Sequence, residues 1–99
     1  MIKKLKHCPL KKFKGVDSRK LAEGEEIAAM ITYFKKGDKL PIHDHNNEQV
    51  GYVVDGKLKI ISGDEEFIVQ KGDSYAFPKK INHGFIALED SETLDMFRV

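Results

Sequence analysis

The chain has 99 residues, a length that fits one domain with a modest core. Its 17 basic and 16 acidic side chains leave a net charge of only +1, which gives no electrostatic basis for binding nucleic acid. The single cysteine, Cys8, cannot form an intrachain disulfide, and no apolar run is long enough for a transmembrane helix or a signal peptide. We therefore expect a single cytoplasmic domain over residues 1–99 that binds neither nucleic acid nor membrane.

The first 26 residues form a basic N-terminal region that we predict to contain strand. Its lysines are Lys3, Lys4, Lys6, Lys11, Lys12 and Lys14. Such a cluster is typical of a solvated strand or arm. A helix over residues 18–29 is not favoured, because Gly24 lies in its middle. Small all-β domains often gain burial by pairing, so we expect a homodimer, formed through residues 5–16.

From residue 27 onward the chain alternates between short apolar runs and turns. Runs rich in β-branched and aromatic residues cover 27–34, 48–56, 57–62, 65–70, 74–78, 83–88 and 92–99. Short strands at this spacing predict an all-β sandwich or barrel with little or no helix. The Asp55-Gly56 pair lies between two of these runs and predicts a two-residue hairpin there.

Three histidines and a glutamine are candidates for one polar site. If the segment is extended, His43 and His45 point to the same face of the strand. Gln49 lies an even number of residues further along, so it would point to that face as well. His83 opens the run 83–88 and shares a face with Phe85. If the sheet curls, three imidazoles and an amide oxygen converge, a set that suits a borderline divalent ion such as Zn, Ni, Fe, Mn or Co. Glu48 is the alternative fourth ligand.

Two spaced motifs resemble those of the cupin family of jelly-roll barrels. The first is Gly37, five residues, His43-x-His45, then Gln49 and Gly56, with glutamine where that family usually has glutamate. The second keeps the glycine, proline and histidine of the family pattern as Gly72, Pro78 and His83, but has Lys80 and Ala87 in place of a glycine and an asparagine. The resemblance implies a cupin barrel over residues 27–99, preceded by the strand region 1–26.

A closer resemblance is to the single-domain cupins that open the ring of unsaturated uronates. The matching residues are Ser18-Arg19-Lys20, Tyr33 to Gly37, His43, His45, Glu48-Gln49-Val50, His83-Gly84 and Asp95-x-Phe97. The resemblance implies one metal ion held by His43, His45, Gln49 and His83. That family also carries an arginine beyond its Asp-x-Phe motif, whereas Arg98 is too close to that motif and on the opposite strand face from Asp95.

The resemblance further implies a non-redox enzyme acting on a small anionic sugar acid, with Asp95 as the proton shuttle. Phe97 and Phe85 are expected to form an apolar wall, and Arg19, Tyr75 and Lys79 are weaker candidates for contacting a carboxylate. Replacing a glutamate ligand by Gln49 removes a negative charge, which favours Lewis-acid chemistry over oxidation. The alternatives are a sensor cupin that binds a small ligand without turnover, and an iron or nickel dioxygenase.

Overall fold

The computed structural model describes all 99 residues and contains ten strands, one 3-10 turn and no α-helix. The turn is Leu5–His7 and the strands are β1 Lys11–Phe13, β2 Val16–Glu23, β3 Ile27–Phe34, β4 Lys39–His43, β5 Gln49–Asp55, β6 Lys57–Ser62, β7 Glu65–Gln70, β8 Ser74–Phe77, β9 His83–Ala87 and β10 Ser91–Arg98. They form a six-stranded sheet, β1-β2-β3-β10-β5-β8, and a four-stranded sheet, β4-β9-β6-β7. The predicted all-β fold of jelly-roll type is confirmed. The structure has no helix of the length and apolarity that crossing a bilayer requires.

Strand alternation separates an inner face from an outer face on both sheets. On β10, Ser91, Thr93 and Asp95 are buried and alternate with more exposed side chains. The inner faces together enclose a core of nine buried side chains, Val16, Phe34, Leu40, Val53, Leu58, Ile60, Phe77, Phe85 and Ala87. Because these come from both sheets, the sheets pack face to face as a sandwich.

The turn at Asp55-Gly56 does not close a hairpin, so that prediction is wrong. β5 pairs with β10 and β8, whereas β6 pairs with β7 and β9, and the turn carries the chain from one sheet to the other. Gly56 has a φ of +88°, and a Cβ there would overlap Ser91. An Asp-Gly pair supplies positive φ whether or not the flanking strands pair, so the local signal cannot distinguish the two arrangements. The two-residue loop at 63–64 is a true hairpin and joins β6 to β7.

The N-terminal region 1–26 extends the larger sheet. β1 is its edge strand, β2 pairs with β3, and Val16 belongs to the core. Residues 18–29 form the end of β2 and the start of β3, in agreement with the expectation that they are not helical. The homodimer through residues 5–16 stays a prediction.

Candidate metal centre

The three predicted histidines lie together at one end of strands β4 and β9. His43 ends β4 and is paired with His83, the first residue of β9, while His45 lies in the loop that follows β4. The ring of His83 is 4.4 Å from that of His43 and 5.0 Å from that of His45, measured between centroids. One nitrogen from each ring lies within 4.8 Å of the others, so a single ion between them could contact all three.

Backbone carbonyls select the neutral tautomer of two of these rings. Nδ1 of His43 donates to the carbonyl of Pro41 at 2.8 Å, and Nδ1 of His83 donates to that of Ile81 at 3.0 Å. Each ring therefore presents the lone pair of its Nε2. Nε2 of His83 is buried with no hydrogen-bond partner. A buried polar atom without a partner requires an explanation, and a bound cation supplies one.

His83 is also held by packing. Its ring is stacked on Phe77 with centroids 4.2 Å apart and planes 8° from parallel, and the residue is 1% exposed. Burial lowers the pKa of His83 below its ordinary value, with the neighbouring His43 and His45 contributing in the same direction. The neutral ring is the form that binds a metal, so this environment prepares His83 as a ligand.

The loop that carries His45 is tied to the turn before β9. The backbone N–H of Lys80 donates to the carbonyl of His45 at 2.8 Å. Lys80 has a φ of +62°, the left-handed region that favours glycine. This explains why the motif usually has glycine where this chain has Lys80.

Gln49, the first residue of β5, reaches the histidines from the other sheet. Its Oε1 lies 2.9 Å from Nε2 of His45, and its Nε2 donates to Oδ2 of Asp95 at 2.6 Å. Glu48, the alternative ligand, is exposed and lies outside the cavity that these groups share. Three imidazoles and one amide oxygen form a neutral donor set that fits a borderline divalent ion.

Asp95 is buried beside Gln49 and is 3% exposed. The Tyr75 hydroxyl lies 2.9 Å from each of its oxygens and donates to the carboxylate. Burial raises the pKa of Asp95 above its ordinary value, and the hydrogen bonds from Gln49 and Tyr75 act in the opposite direction. Burial, followed by the charge of Asp95, raises the pKa of Tyr75 well above 10.0, so Tyr75 remains a donor.

His43, His45, Gln49 and Asp95 open into a cavity of about 330 Å³ between the sheets. Its lining comprises Phe13, Lys20, Met30, Thr32, Phe34, Leu40, His43, His45, Asn47, Gln49, Phe85, Thr93, Asp95 and Phe97. The predicted apolar residues Phe85 and Phe97 are therefore in the same cavity as Asp95. A volume in this range suits a small molecule.

Three predicted substrate contacts lie elsewhere. The Arg19 guanidinium donates to the Cys8 carbonyl at 2.5 Å and lies over the Tyr33 ring, on the outer side of β2. Tyr75 is directed at Asp95 and is not part of the cavity lining. Lys79 borders a separate surface depression. None of the three is positioned to contact a ligand in this cavity.

Lys20 is a charged cavity residue that the sequence interpretation did not assign to the site. It is the only positively charged side chain of the lining, and it is exposed, as expected at the mouth of the cavity. Lys20 has the same strand parity as the buried residues Val16 and Ser18, while Arg19 has the opposite parity. This alternation could have identified Lys20 as a cavity residue. It can be used only when residues 16–23 are known to form a strand.

The sequence profile of the cupin domain matches residues 30–97, which is more than half of the chain. The chain belongs to the cupin family. The region that matches the cupin profile begins in β3, ends in β10 and includes all four candidate metal ligands.

Several solved structures resemble this one closely in fold. An RmlC-like cupin from Shewanella frigidimarina has a TM-score of 0.90 at 23% identity, and the match covers 98% of this chain and 88% of that one. At that identity the likeness shows the fold alone. The protein KdgF from a Halomonas species has a TM-score of 0.90 at 26% identity, covering 99% of this chain and 92% of its own. Oxalate decarboxylase from Bacillus subtilis has a TM-score of 0.82 at 25% identity, covering 94% of this chain and 28% of its own. A search of curated protein sequences gives no significant match.

Proposed function

We propose that this cupin is a metal-dependent, non-redox enzyme that opens the ring of a small unsaturated uronate. The observation that carries the proposal is a neutral donor set of three histidines and Gln49, of which His43, His45 and Gln49 line the same cavity as a buried carboxylate, Asp95. The resemblance of the two sequence motifs to the uronate ring-opening cupins supports the substrate class. The similarity to KdgF, over nearly the full length of both chains, is compatible with it.

His43, His45, His83 and Gln49 would hold one divalent ion from the group Zn, Ni, Fe, Mn and Co. When bound, the ion would supply Lewis-acid polarisation of a substrate oxygen. The ligand set adds no negative charge, so the centre attracts an anionic substrate and does not favour a ferric state. This charge balance is our reason for preferring isomerisation to oxygen chemistry.

Lys20 is the residue that we propose for binding the substrate carboxylate. It is the only cation of the cavity lining and can pair with a carboxylate at the mouth. Arg19, which the sequence suggested for this role, is engaged by the Cys8 carbonyl on the other side of β2. Phe85 and Phe97 would exclude water from the ring face of the sugar.

Asp95 is the residue that we propose for proton transfer. It would accept the proton of the anomeric hydroxyl as the ring C–O bond breaks and the aldehyde forms. It would return a proton to the alkene carbon, which leaves a ketone at the former ring-oxygen position and makes the product an isomer of the substrate. The raised pKa of Asp95, caused by burial, brings it closer to the range in which a carboxyl can both accept and donate a proton.

A turnover assay with matched variants tests this proposal. We expect metal-loaded protein to remove the enol-ether absorbance of an unsaturated monouronate, and a chelator to stop the reaction. His45→Ala should abolish turnover, whereas His7→Ala, which changes an exposed histidine outside the cavity, should retain it. Asp95→Asn should lower kcat by about a hundredfold or more if it moves the proton. Lys20→Ala should mainly raise KM if it anchors the carboxylate.

The alternative function is ligand binding without catalysis, as in a sensor cupin. The feature that favours this alternative is that both Asp95 oxygens accept hydrogen bonds from Tyr75 and Gln49, so neither is free to take a proton from a substrate. Saturable binding of the uronate by metal-loaded protein, without loss of its absorbance, would support that alternative and overturn ring opening.

A further inference from the structure

Three residues form a row across the inner face of the six-stranded sheet. Asp95 on β10 is opposite Gly51 on β5, and Gly51 is opposite Tyr75 on β8. Neighbouring strands are about 4.8 Å apart, so the backbones of Asp95 and Tyr75 are about 10 Å apart. The Tyr75 ring lies over Gly51, and a Cβ at position 51 would overlap its ring atoms. The missing side chain at Gly51 is therefore what allows the Tyr75 hydroxyl to reach Asp95.

The contact with Tyr75 fixes the orientation of the Asp95 carboxylate. The hydroxyl is 2.9 Å from both carboxylate oxygens, so rotation of the carboxylate would lengthen at least one of these contacts. Charge-assisted hydrogen bonds of this kind are stronger than neutral ones. Asp95 is also 3% exposed, which leaves little water to compete for its oxygens.

The carboxylate in turn selects one of the two orientations of the Gln49 amide. With the amide nitrogen 2.6 Å from Oδ2 of Asp95, the amide oxygen faces His45. The flipped amide would place its oxygen against the carboxylate, where two acceptors repel each other. It would also direct an NH₂ group, which cannot bind a cation, at the histidines.

We infer that Tyr75, reaching across Gly51, is a positioning residue that acts through Asp95 to hold the Gln49 oxygen toward the three-histidine cluster. The inference rests on the proposed function only in requiring a metal at that cluster. It does not depend on the substrate, because the geometry involves protein groups alone.

Metal affinity and the visible spectrum of bound Co²⁺ test this inference without any turnover. Affinity would be measured by competition with a coloured chelator, and the Co²⁺ bands report the number and geometry of the ligands. Tyr75→Phe keeps the ring and removes the hydroxyl, and it should weaken binding about tenfold and change the spectrum. Tyr52→Phe, which changes an outward-facing tyrosine on β5, should change neither. Gly51→Ala should act in the same direction as Tyr75→Phe, because it displaces the ring.

A double-mutant cycle separates positioning from a general loss of stability. In an Asp95→Ala background, which removes both acceptor oxygens, the second change Tyr75→Phe should cost no further affinity, because Tyr75 acts only through Asp95. Independent, additive losses would overturn the inference, as would a Tyr75→Phe variant with wild-type affinity and spectrum. Wild-type protein that binds no metal would overturn the metal centre and this inference together. Tight metal binding without uronate turnover would remove the proposed activity and leave the inference in place.

Discussion

The Tyr75 phenol is held where its ionisation would place a second negative charge beside Asp95. Burial and the charge of Asp95 raise the pKa of Tyr75 well above 10.0. In the unfolded chain the phenol ionises near pH 10. Above that pH the unfolded state releases a proton that the folded state keeps, so the free energy of unfolding decreases as the pH rises.

We predict that Tyr75→Phe is less stable than wild type at neutral pH and that the difference narrows above pH 10. The stabilisation from the buried phenol is complete below the unfolded pKa and decreases above it by at most about 1.4 kcal/mol per pH unit. Urea unfolding of both proteins between about pH 8 and pH 11 would measure this. Tyr52→Phe should keep the wild-type pH dependence, and parallel curves for wild type and Tyr75→Phe would contradict the prediction.

Adjacent residues on β2 illustrate how far single positions could be predicted. The motif Ser18-Arg19-Lys20 predicts a substrate contact at Arg19, but Arg19 faces away from the cavity. Lys20 faces the cavity because neighbours on a strand point to opposite sides. Parity predicted the shared face of Asp95 and Phe97 correctly, since β10 was recognisable as a strand. The contact of Tyr75 with Asp95 could not be predicted, because it depends on the register of three strands.

At the scale of elements, the turn between β5 and β6 is tightly constrained. It passes between the sheets, and Gly56 combines a positive φ with close contact to the chain at Ser91. Gly72 has a similar φ of +94° but no atom within 4 Å of the position where a Cβ would be. Substitutions at these two glycines therefore distinguish the effect of backbone strain alone from the effect of strain combined with steric overlap.

We predict that Gly56→Ala is clearly more destabilising than Gly72→Ala. The second change adds only the strain of a left-handed alanine, about 1–2 kcal/mol. The first also displaces the chain at Ser91, so its effect on the free energy of unfolding should be larger by about 1 kcal/mol or more. Urea unfolding of the two variants would measure the difference. Equal decreases in the free energy of unfolding would contradict the prediction and show that the chain at Ser91 moves easily to accommodate the Cβ.

Strand prediction succeeded where apolar and β-branched residues are dense. The runs 27–34, 57–62 and 65–70 coincide with β3, β6 and β7. β4 was missed because it contains Pro41, which lowers strand propensity. β2 lies in the region predicted to contain strand, but its bounds were not predicted because charged residues interrupt its alternation. The pairing of strands was beyond local reasoning, as the turn at Gly56 shows, because turn residues do not specify which sheet follows.

At the scale of the whole molecule, the candidate metal centre connects the two sheets. His43 and His83 belong to the four-stranded sheet, whereas Gln49 belongs to the six-stranded sheet. An ion held by all of them would bind the folded chain more tightly than the unfolded one, where His83 is far from the other three ligands. Such binding must stabilise the fold by mass action.

We predict that divalent metal raises the midpoint of thermal unfolding in a concentration-dependent way. At a hundredfold excess over Kd the stabilisation is about 2.7 kcal/mol, which corresponds to about 10 °C or more for a domain of this size. His83→Ala should abolish the shift, and His7→Ala should retain it. Differential scanning fluorimetry with and without chelator would measure both, and an equal shift in His83→Ala would place the bound metal elsewhere.

The central position of β10 has a consequence for how the chain folds. β10 lies between β3 and β5, and without it the larger sheet would be two separate pieces, β1-β2-β3 and β5-β8. During synthesis each piece exposes an unpaired strand edge until residues 91–98 leave the ribosome, and Asp95 arrives with them. We therefore expect the larger sheet to form only once β10 is available and slowly for its size, with a period of aggregation risk that chaperones would shorten.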